Sequence, residues 1–196
     1  MPKLFAPDAG LLGLFSLGVS SGNIAATLAA NAPLFSMHWS QASHLFVPDI
    51  IKVGVSVSGV ITTSVTFALE LVIARSFTVA DSGGTAITLT SDNNTFRTAF
   101  DASLMADARI ASTGTLTAGT RTLDSQAFTT VPLATGTAIG VPLALATIYD
   151  RTDLFPIILA QNEGFIIRNN ATGPATGTFV LHVYMRWLET VREILV

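Results

Sequence analysis

The feature that most constrains the fold is an alternation of apolar and polar residues, which recurs from about residue 33 onward. Neighbouring side chains of a β-strand point to opposite faces, so a period of two predicts a strand with one buried face. The alternation is clearest over residues 178–191. The face expected to be buried there carries Phe179, Leu181, Val183, Met185 and Trp187.

Similar alternation predicts further strands over residues 33–40, 51–60, 64–77 and 144–149. Shorter segments raise the total to about eight to ten strands separated by turns, which is typical of an antiparallel sandwich or a small barrel. We therefore predict an all-β fold. It is an antiparallel β-sandwich, jelly-roll-like, with an extended apolar N-terminal arm and one short helix.

Three local predictions accompany this fold. Gly59 is expected to seed a hairpin turn between two strands. Gly164 is expected to complete a tight turn, residues 162–164, because glycine adopts a positive φ at little cost. Residues 94–106 are expected to form the short helix, because their apolar side chains recur at helical spacing. Those side chains belong to Phe96, Phe100, Leu104 and Met105.

Charged residues are scarce along the whole chain. They make up 12% of the 196 residues, and the net charge is −3, whereas a soluble domain ordinarily has about 25%. A lone domain needs charge to stay dispersed, so neighbouring subunits are expected to cover part of the surface. No basic patch is present to hold nucleic acid. The absence of cysteine excludes disulfides and thiolate metal sites.

Residues 9–32 contain no charged side chain, and three interpretations compete for them. A signal peptide is disfavoured because Pro7 and Asp8 interrupt the approach to the apolar run. A membrane helix is disfavoured because the apolar run, residues 11–19, is far shorter than the roughly 20 residues needed to span a bilayer. The remaining interpretation is an arm that becomes ordered by packing on another surface.

We therefore predict two parts, an arm over residues 1–32 and a β-sandwich domain over residues 33–196. The arm is expected to pack against its own domain or against another chain, and both alternatives stay open. The residues expected to make its contacts are Leu11, Leu12, Leu14, Phe15, Leu17, Ile24 and Leu28.

The sequence predicts no enzyme activity, no cofactor and no metal site. His38 and His44 lie near few carboxylates, and a metal site would require a distant third ligand. The segment "GVSSG", residues 18–22, places Ser20 in a Gly-x-Ser-x-Gly pattern. A nucleophilic serine of that kind stands between a strand and a helix, which is not the context here. We predict no catalytic residue.

The face of residues 178–191 opposite the expected core is too apolar for open water and too polar for a core, which suits an interface. Its candidate residues are His182, Tyr184, Arg186 and Leu188. Glu70 interrupts another apolar strand. We expect it to form a structural ion pair with an arginine such as Arg186 or Arg75.

The segments over residues 74–93, 108–124 and 156–187 resemble virion structural proteins of tailed bacteriophages. They include "ARSFTVADSGGTAITLTSDN", "ARIASTGTLTAGTRTLD" and "PIILAQNEGFIIRNNATGPATGTFVLHVYMRW". The resemblance implies a non-enzymatic particle component built on a β-sandwich. It is most like a capsid decoration (cement) protein, often a homotrimer in such families.

From this resemblance we expect the partners to be further copies of the chain and the major capsid protein or other virion proteins. Neither nucleic acid nor a membrane is expected as a partner. The expected location is the capsid exterior of a virion made in the host cytoplasm. On this basis, deletion of residues 1–31 is expected to leave a folded domain that no longer binds particles.

Two alternatives stay open. One is a tail, neck or fibre-base component of a phage particle. The other is a carbohydrate-binding adhesive β-sandwich, which would need exposed aromatic side chains. Trp39 and Trp187 are the candidates for that role, although their positions in alternating strands favour the core.

Overall fold

The fold is built almost entirely from β-strands. A computed structural model describes residues 11–63, 65–89, 102–134, 144–151 and 156–192 of the chain, which contain no α-helix. The strands are β1 (Leu11–Ser20), β2 (Ile24–Ala25), β3 (Pro33–Trp39), β4 (His44–Gly59), β5 (Thr66–Val79), β6 (Thr85–Ile87), β7 (Asp107–Ile110), β8 (Thr120–Leu123), β9 (Thr129–Ala134), β10 (Ala146–Asp150), β11 (Glu163–Asn169) and β12 (Thr178–Val191).

The strands form two antiparallel sheets that pack as a sandwich. One sheet has the order β1-β12-β4-β10, and β2 also pairs with β12. The other has the order β6-β7-β3-β11-β5-β8, and β9 also pairs with β5. The pairing is nested, because β1 pairs with β12, β3 with β11, β4 with β10, and β5 with β8 and β9. The chain is therefore one long hairpin wound around a core, which is a jelly roll and confirms the predicted fold class.

Strand β12 shows why the alternation predicted the fold well. Its bounds are those predicted, and its inward side chains are at most 2% exposed. Those side chains pack between the sheets next to a row of aromatic rings. Trp187 stacks on Phe15 and on Phe46, with ring centroids 5.7 Å apart in both pairs, and Phe46 lies 5.5 Å from Trp39. Both tryptophans are fully buried, which confirms their predicted placement in the core.

The segment predicted as an arm packs on its own chain from residue 11 onward. Strand β1 pairs with β12 from Leu11 to Ser20 and forms part of the sheet. The side chains of Phe15, Leu17, Ile24 and Leu28 are buried in the core. Of the two alternatives left open by the sequence, the structure places these contacts within one chain.

The hairpin turn predicted at Gly59 is wrong, whereas the tight turn predicted over residues 162–164 is present but lies slightly earlier. It spans residues 160–163, where the Glu163 amide donates to the Ala160 carbonyl at 3.1 Å. Gly59 does not seed a hairpin, because the strands on either side of it, β4 and β5, lie in different sheets. A side chain at Gly59 would collide with the hydroxyl of Thr178 on the paired strand. Near Gly164, the positive φ of 61° belongs to Asn162. Gly164 lies inside β11, where a Cβ would meet the Met37 carbonyl oxygen and the Phe77 ring.

This close approach leads to a stability prediction. We expect Gly164→Ala to lower the free energy of unfolding by about 1–3 kcal/mol, the usual cost of an overpacked core. Gly18→Ala is the matched control, because no atom lies within 4 Å of a Cβ built at Gly18, and it should change stability by less than about 0.5 kcal/mol. Urea denaturation of both variants measures the difference. Equal midpoints for the two variants would contradict the packing argument.

The short helix predicted over residues 94–106 is largely outside the described residues. Residues 102–106, which are described, have no regular secondary structure. They are held by Glu189, whose buried carboxylate accepts hydrogen bonds from the Ser103 hydroxyl at 2.5 Å and the Leu104 amide at 2.8 Å. The Trp187 indole N–H also donates to Glu189, at 2.9 Å.

Glu70 forms an ion pair, as predicted, but with a different arginine. The Nε of Arg168 donates to a Glu70 carboxylate oxygen at 2.8 Å. The two residues lie directly opposite each other on β11 and β5. The predicted partners are engaged elsewhere, Arg75 with Asp124 and Arg186 with Asp49. The bond to Asp124 raises the pKa of Arg75.

Candidate association surface

The candidate site is the solvent-facing side of strands β1, β12 and β4, called the outer face below; on the neighbouring β10, the exposed Asp150 lies directly opposite Ile50. Register places its residues in rows across the strands, and most of them are half-buried or exposed. Only two of the eleven positions carry a formal charge, Lys52 and Arg186. The outer face comprises Leu14, Ser16, Gly18 and Ser20 of β1, His182, Tyr184 and Arg186 of β12, and Ile50, Lys52, Gly54 and Ser56 of β4.

A hydrogen-bonded cluster of two serines and a histidine lies on the outer face. Ser20 lies directly opposite His182, and its hydroxyl is 2.8 Å from the imidazole Nδ1. The Ser56 hydroxyl is 2.6 Å from Nε2 of the same ring. A neutral imidazole has one N–H donor and one acceptor nitrogen, so one serine donates to the ring and the other accepts from it. The cluster satisfies the ring without a formal charge.

This cluster places Ser20, the serine of the Gly-x-Ser-x-Gly pattern, next to a histidine. A serine beside a histidine can act as a nucleophile when further groups are in place. Acyl transfer needs an oriented base and backbone N–H donors aimed at the developing oxyanion. Among the described residues, the groups bonded to His182 are hydroxyls rather than a carboxylate. Ser20 lies within a strand whose register continues to residue 182, and it is not on a strand-to-helix turn. The arrangement is therefore a neutral polar contact surface, and it does not form a nucleophile site.

A depression of about 410 Å³ lies beside the cluster. Gly18 contributes no side chain to it, and a Cβ built at Gly18 would have no atom within 4 Å, so there is free space above this residue. The residues that line it are Gly18, Val19, Ser20, Ser56, Leu145, His182, Val183 and Tyr184. None of these side chains is charged, so the depression suits an uncharged occupant.

The charged side chains beside the outer face meet at a β-bulge, where one carboxylate pairs with two arginines. The register between β4 and β12 shifts where Pro48 pairs with Trp187 and Ile50 pairs with Arg186, leaving Asp49 as the extra residue. Proline is tolerated in a central strand at such a bulge. The Asp49 carboxylate accepts a bond from Arg186 and one from Arg151, the latter at 3.1 Å.

The structure brings three of the four predicted interface residues of β12 together. His182, Tyr184 and Arg186 are half-buried on the outer face. Leu188 lies on the same side of β12, directly opposite Leu14 of β1, but it is only 5% exposed.

Among the predicted arm contacts, Leu14 is half-buried and belongs to the outer face, whereas Phe15, Leu17, Ile24 and Leu28 face the core. Leu11 and Leu12 belong to β1. Sequence reasoning missed Ser20 and Ser56 as neighbours of His182, because they lie 162 and 126 positions away from it. Only the strand register brings these residues together.

The other two histidines have local partners. His38 is buried, and its Nδ1 lies 3.2 Å from an Asp107 carboxylate oxygen. The Nδ1 of His44 lies 2.9 Å from the Ser43 hydroxyl. Within the described parts of the chain, no three histidine, aspartate or glutamate side chains are grouped so that they hold a metal ion.

Comparisons with known proteins give no relative to guide the interpretation. Neither the family models, nor the curated proteins, nor the solved structures contain a match to this chain. In the described ranges, no helix has the length and apolar character needed to cross a membrane.

Proposed function

We propose that this chain is a non-enzymatic virion structural protein that oligomerises and decorates or cements a phage capsid. The observation that carries the proposal is the composition of the outer face. It is a broad sheet surface with one lysine and one arginine that pairs with Asp49, and its other positions are small, hydroxyl-bearing, aromatic, aliphatic or imidazole side chains. A surface of this kind is stable in an assembly in which another surface covers it.

The fold agrees with this proposal without deciding it. Jelly rolls form viral capsid domains, and they also form lectin domains and cupins. Function has to be argued from the site and not from the fold. The two tryptophans that a carbohydrate-binding role would use are both fully buried, so neither presents a ring to a sugar.

Association through the outer face would be driven by the removal of neutral, partly apolar surface from water. Each Å² of apolar surface removed from water contributes about 25 cal/mol, so a few hundred Å² per contact contributes several kcal/mol before ordering costs. Few charged side chains have to lose their hydration when the outer face is covered. Repetition of the contact around a shell would add up to particle stability.

A charge placed on the outer face tests the proposal. We expect Tyr184→Glu to weaken binding to shells by at least tenfold, because the half-buried ring would be replaced by a carboxylate that must be desolvated. The measurement is co-sedimentation with phage shells that lack this chain. Thr85→Glu is the control, because Thr85 is exposed on β6 of the opposite sheet. Thermal unfolding of both variants checks that the fold is retained.

Electron microscopy of the decorated shells adds a second readout. Density at the local three-fold axes of the lattice would support a cement role, whereas density on a six- or twelve-fold axis would favour the tail or neck. If the wild-type chain does not bind shells, or if Tyr184→Glu binds as the wild type does, the proposal is wrong.

A further inference from the structure

The residues that line the depression on the outer face favour an apolar occupant. Gly18, which has no side chain, lines it, as does Leu145, which is 44% exposed. Tyr184 contributes a half-buried aromatic ring. Because the hydroxyls of Ser20 and Ser56 are already bonded to His182, the depression offers mainly carbon surface. A volume of about 410 Å³ accommodates an aromatic side chain.

The chain itself presents a suitable aromatic side chain. Phe128 is 55% exposed, and among the large apolar side chains that are exposed in the described ranges it is the one aromatic. Its position is fixed. Its backbone N–H donates to the Leu71 carbonyl at 2.8 Å, and its ring lies edge-on to Tyr149 with centroids 5.8 Å apart. A ring that is already held in place loses little entropy when it binds.

Phe128 and the depression lie on different parts of the molecule. Phe128 contacts Tyr149 on β10, whereas the rim of the depression is formed by Leu145, four residues earlier. Four residues of extended chain span roughly 13 Å. Phe128 is also bonded to Leu71 in the opposite sheet, which keeps it at the side of the sandwich. It therefore does not reach the depression of its own chain.

We propose that Phe128 of one copy of this chain inserts into the depression of a neighbouring copy. This inference rests on the proposed function, because it names the partner that covers the outer face. A second copy is the partner favoured by the observations, because the same chain carries an uncharged depression and a preformed exposed ring. Buried aromatic side chains in fitted pockets dominate the binding energy of many interfaces.

The contact joins two different surfaces, so it is heterologous. Repeated contacts of this type close into a ring when the rotation between neighbours divides a full turn, and otherwise form an open chain. A homotrimer is the closed ring with three contacts of this kind. Each copy would then contribute one Phe128 and one depression.

Two variants remove the two halves of the contact separately. Gly18→Leu fills the depression with a side chain that meets no other protein atom at its Cβ, and Phe128→Ser removes the ring. We expect each variant to weaken self-association of the full chain by about 30-fold or more in Kd, the effect of losing one hot spot. Sedimentation velocity over a range of concentrations measures the association.

Matched controls separate this contact from general surface effects. A Cβ at Gly114 also has no atom within 4 Å, and Val79 is 55% exposed like Phe128. Neither residue lines the depression. Gly114→Leu and Val79→Ser should associate as the wild type does. Thermal unfolding of all four variants checks that the fold is intact.

A mixing experiment gives the decisive readout. Phe128→Ser retains its depression and Gly18→Leu retains its ring, so at a concentration at which neither variant associates alone an equimolar mixture should form a complex of one copy of each. Absence of this mixed dimer, or wild-type association of Phe128→Ser, would overturn the inference. Loss of shell binding by Gly18→Leu with unchanged self-association would also overturn it, since a capsid protein would then be the occupant. Shell binding by the wild type tests the proposed function separately.

Discussion

A chain that lacks residues 1–31 should fail to fold. The sequence alone predicted that this deletion leaves an intact domain, but the structure makes β1 the partner of β12 in the sheet. The deletion removes Phe15, Leu17 and Ile24, which are at most 6% exposed. Burying one such side chain contributes about 1.5–3 kcal/mol, so the loss approaches the whole stability of a typical domain, about 5–15 kcal/mol.

Circular dichroism and urea denaturation of the truncated chain test this expectation. The full chain should unfold in one cooperative transition, and the truncated chain should show none. Phe15→Ala in the full chain provides an intermediate case, because it removes one ring from the stack with Trp187. It should lower the free energy of unfolding by about 3–5 kcal/mol. A truncated chain that unfolds at the wild-type midpoint would show that β1 is dispensable.

The second large effect is expected at Glu189. We expect Glu189→Ala to lower the free energy of unfolding by about 3 kcal/mol or more. Its carboxylate is fully buried and accepts hydrogen bonds from Ser103, Leu104 and Trp187. Removing the acceptor leaves the buried donors unsatisfied, and each unsatisfied group costs about 1–3 kcal/mol.

Glu189→Gln is the matched control. One oxygen accepts from both Ser103 and Trp187, and the other accepts from the Leu104 amide. Glutamine retains a single carbonyl oxygen, so it keeps the first pair of bonds and places an NH₂ group against the Leu104 N–H. Its expected loss is therefore smaller, about 1–2 kcal/mol. Glu189→Ala with stability within 0.5 kcal/mol of the wild type would show that the carboxylate does not hold residues 102–106 to β12.

The alternation of side chains predicted individual strands better than it predicted their neighbours. The bounds of β12 were predictable because its inward face is apolar and its outward face is mixed. The connection at Gly59 was not predictable, because alternation within β4 and within β5 is the same whether the two strands pair or lie in different sheets. Nested pairing is set by packing across the whole domain, which no single segment contains.

The candidate site was predictable in part. The outward positions of β12 were visible in the sequence as His182, Tyr184 and Arg186. Leu188 lies on the same side of β12 as these residues but is buried, which alternation alone does not indicate. The contact with Ser20 depends on the register between β1 and β12, a pairing between distant segments. The sequence therefore indicated one strand of the surface, and the structure supplied the other two.

The nested pairing also determines when the outer face comes into existence during synthesis. Strands β1 and β4 lie on either side of β12 and pair with it rather than with each other. Neither can complete its sheet until residues 178–191 have left the ribosome. Contacts between segments this far apart form slowly, because the intervening chain must be ordered first. A nascent chain thus displays no finished outer face until β12 has emerged and paired with β1 and β4.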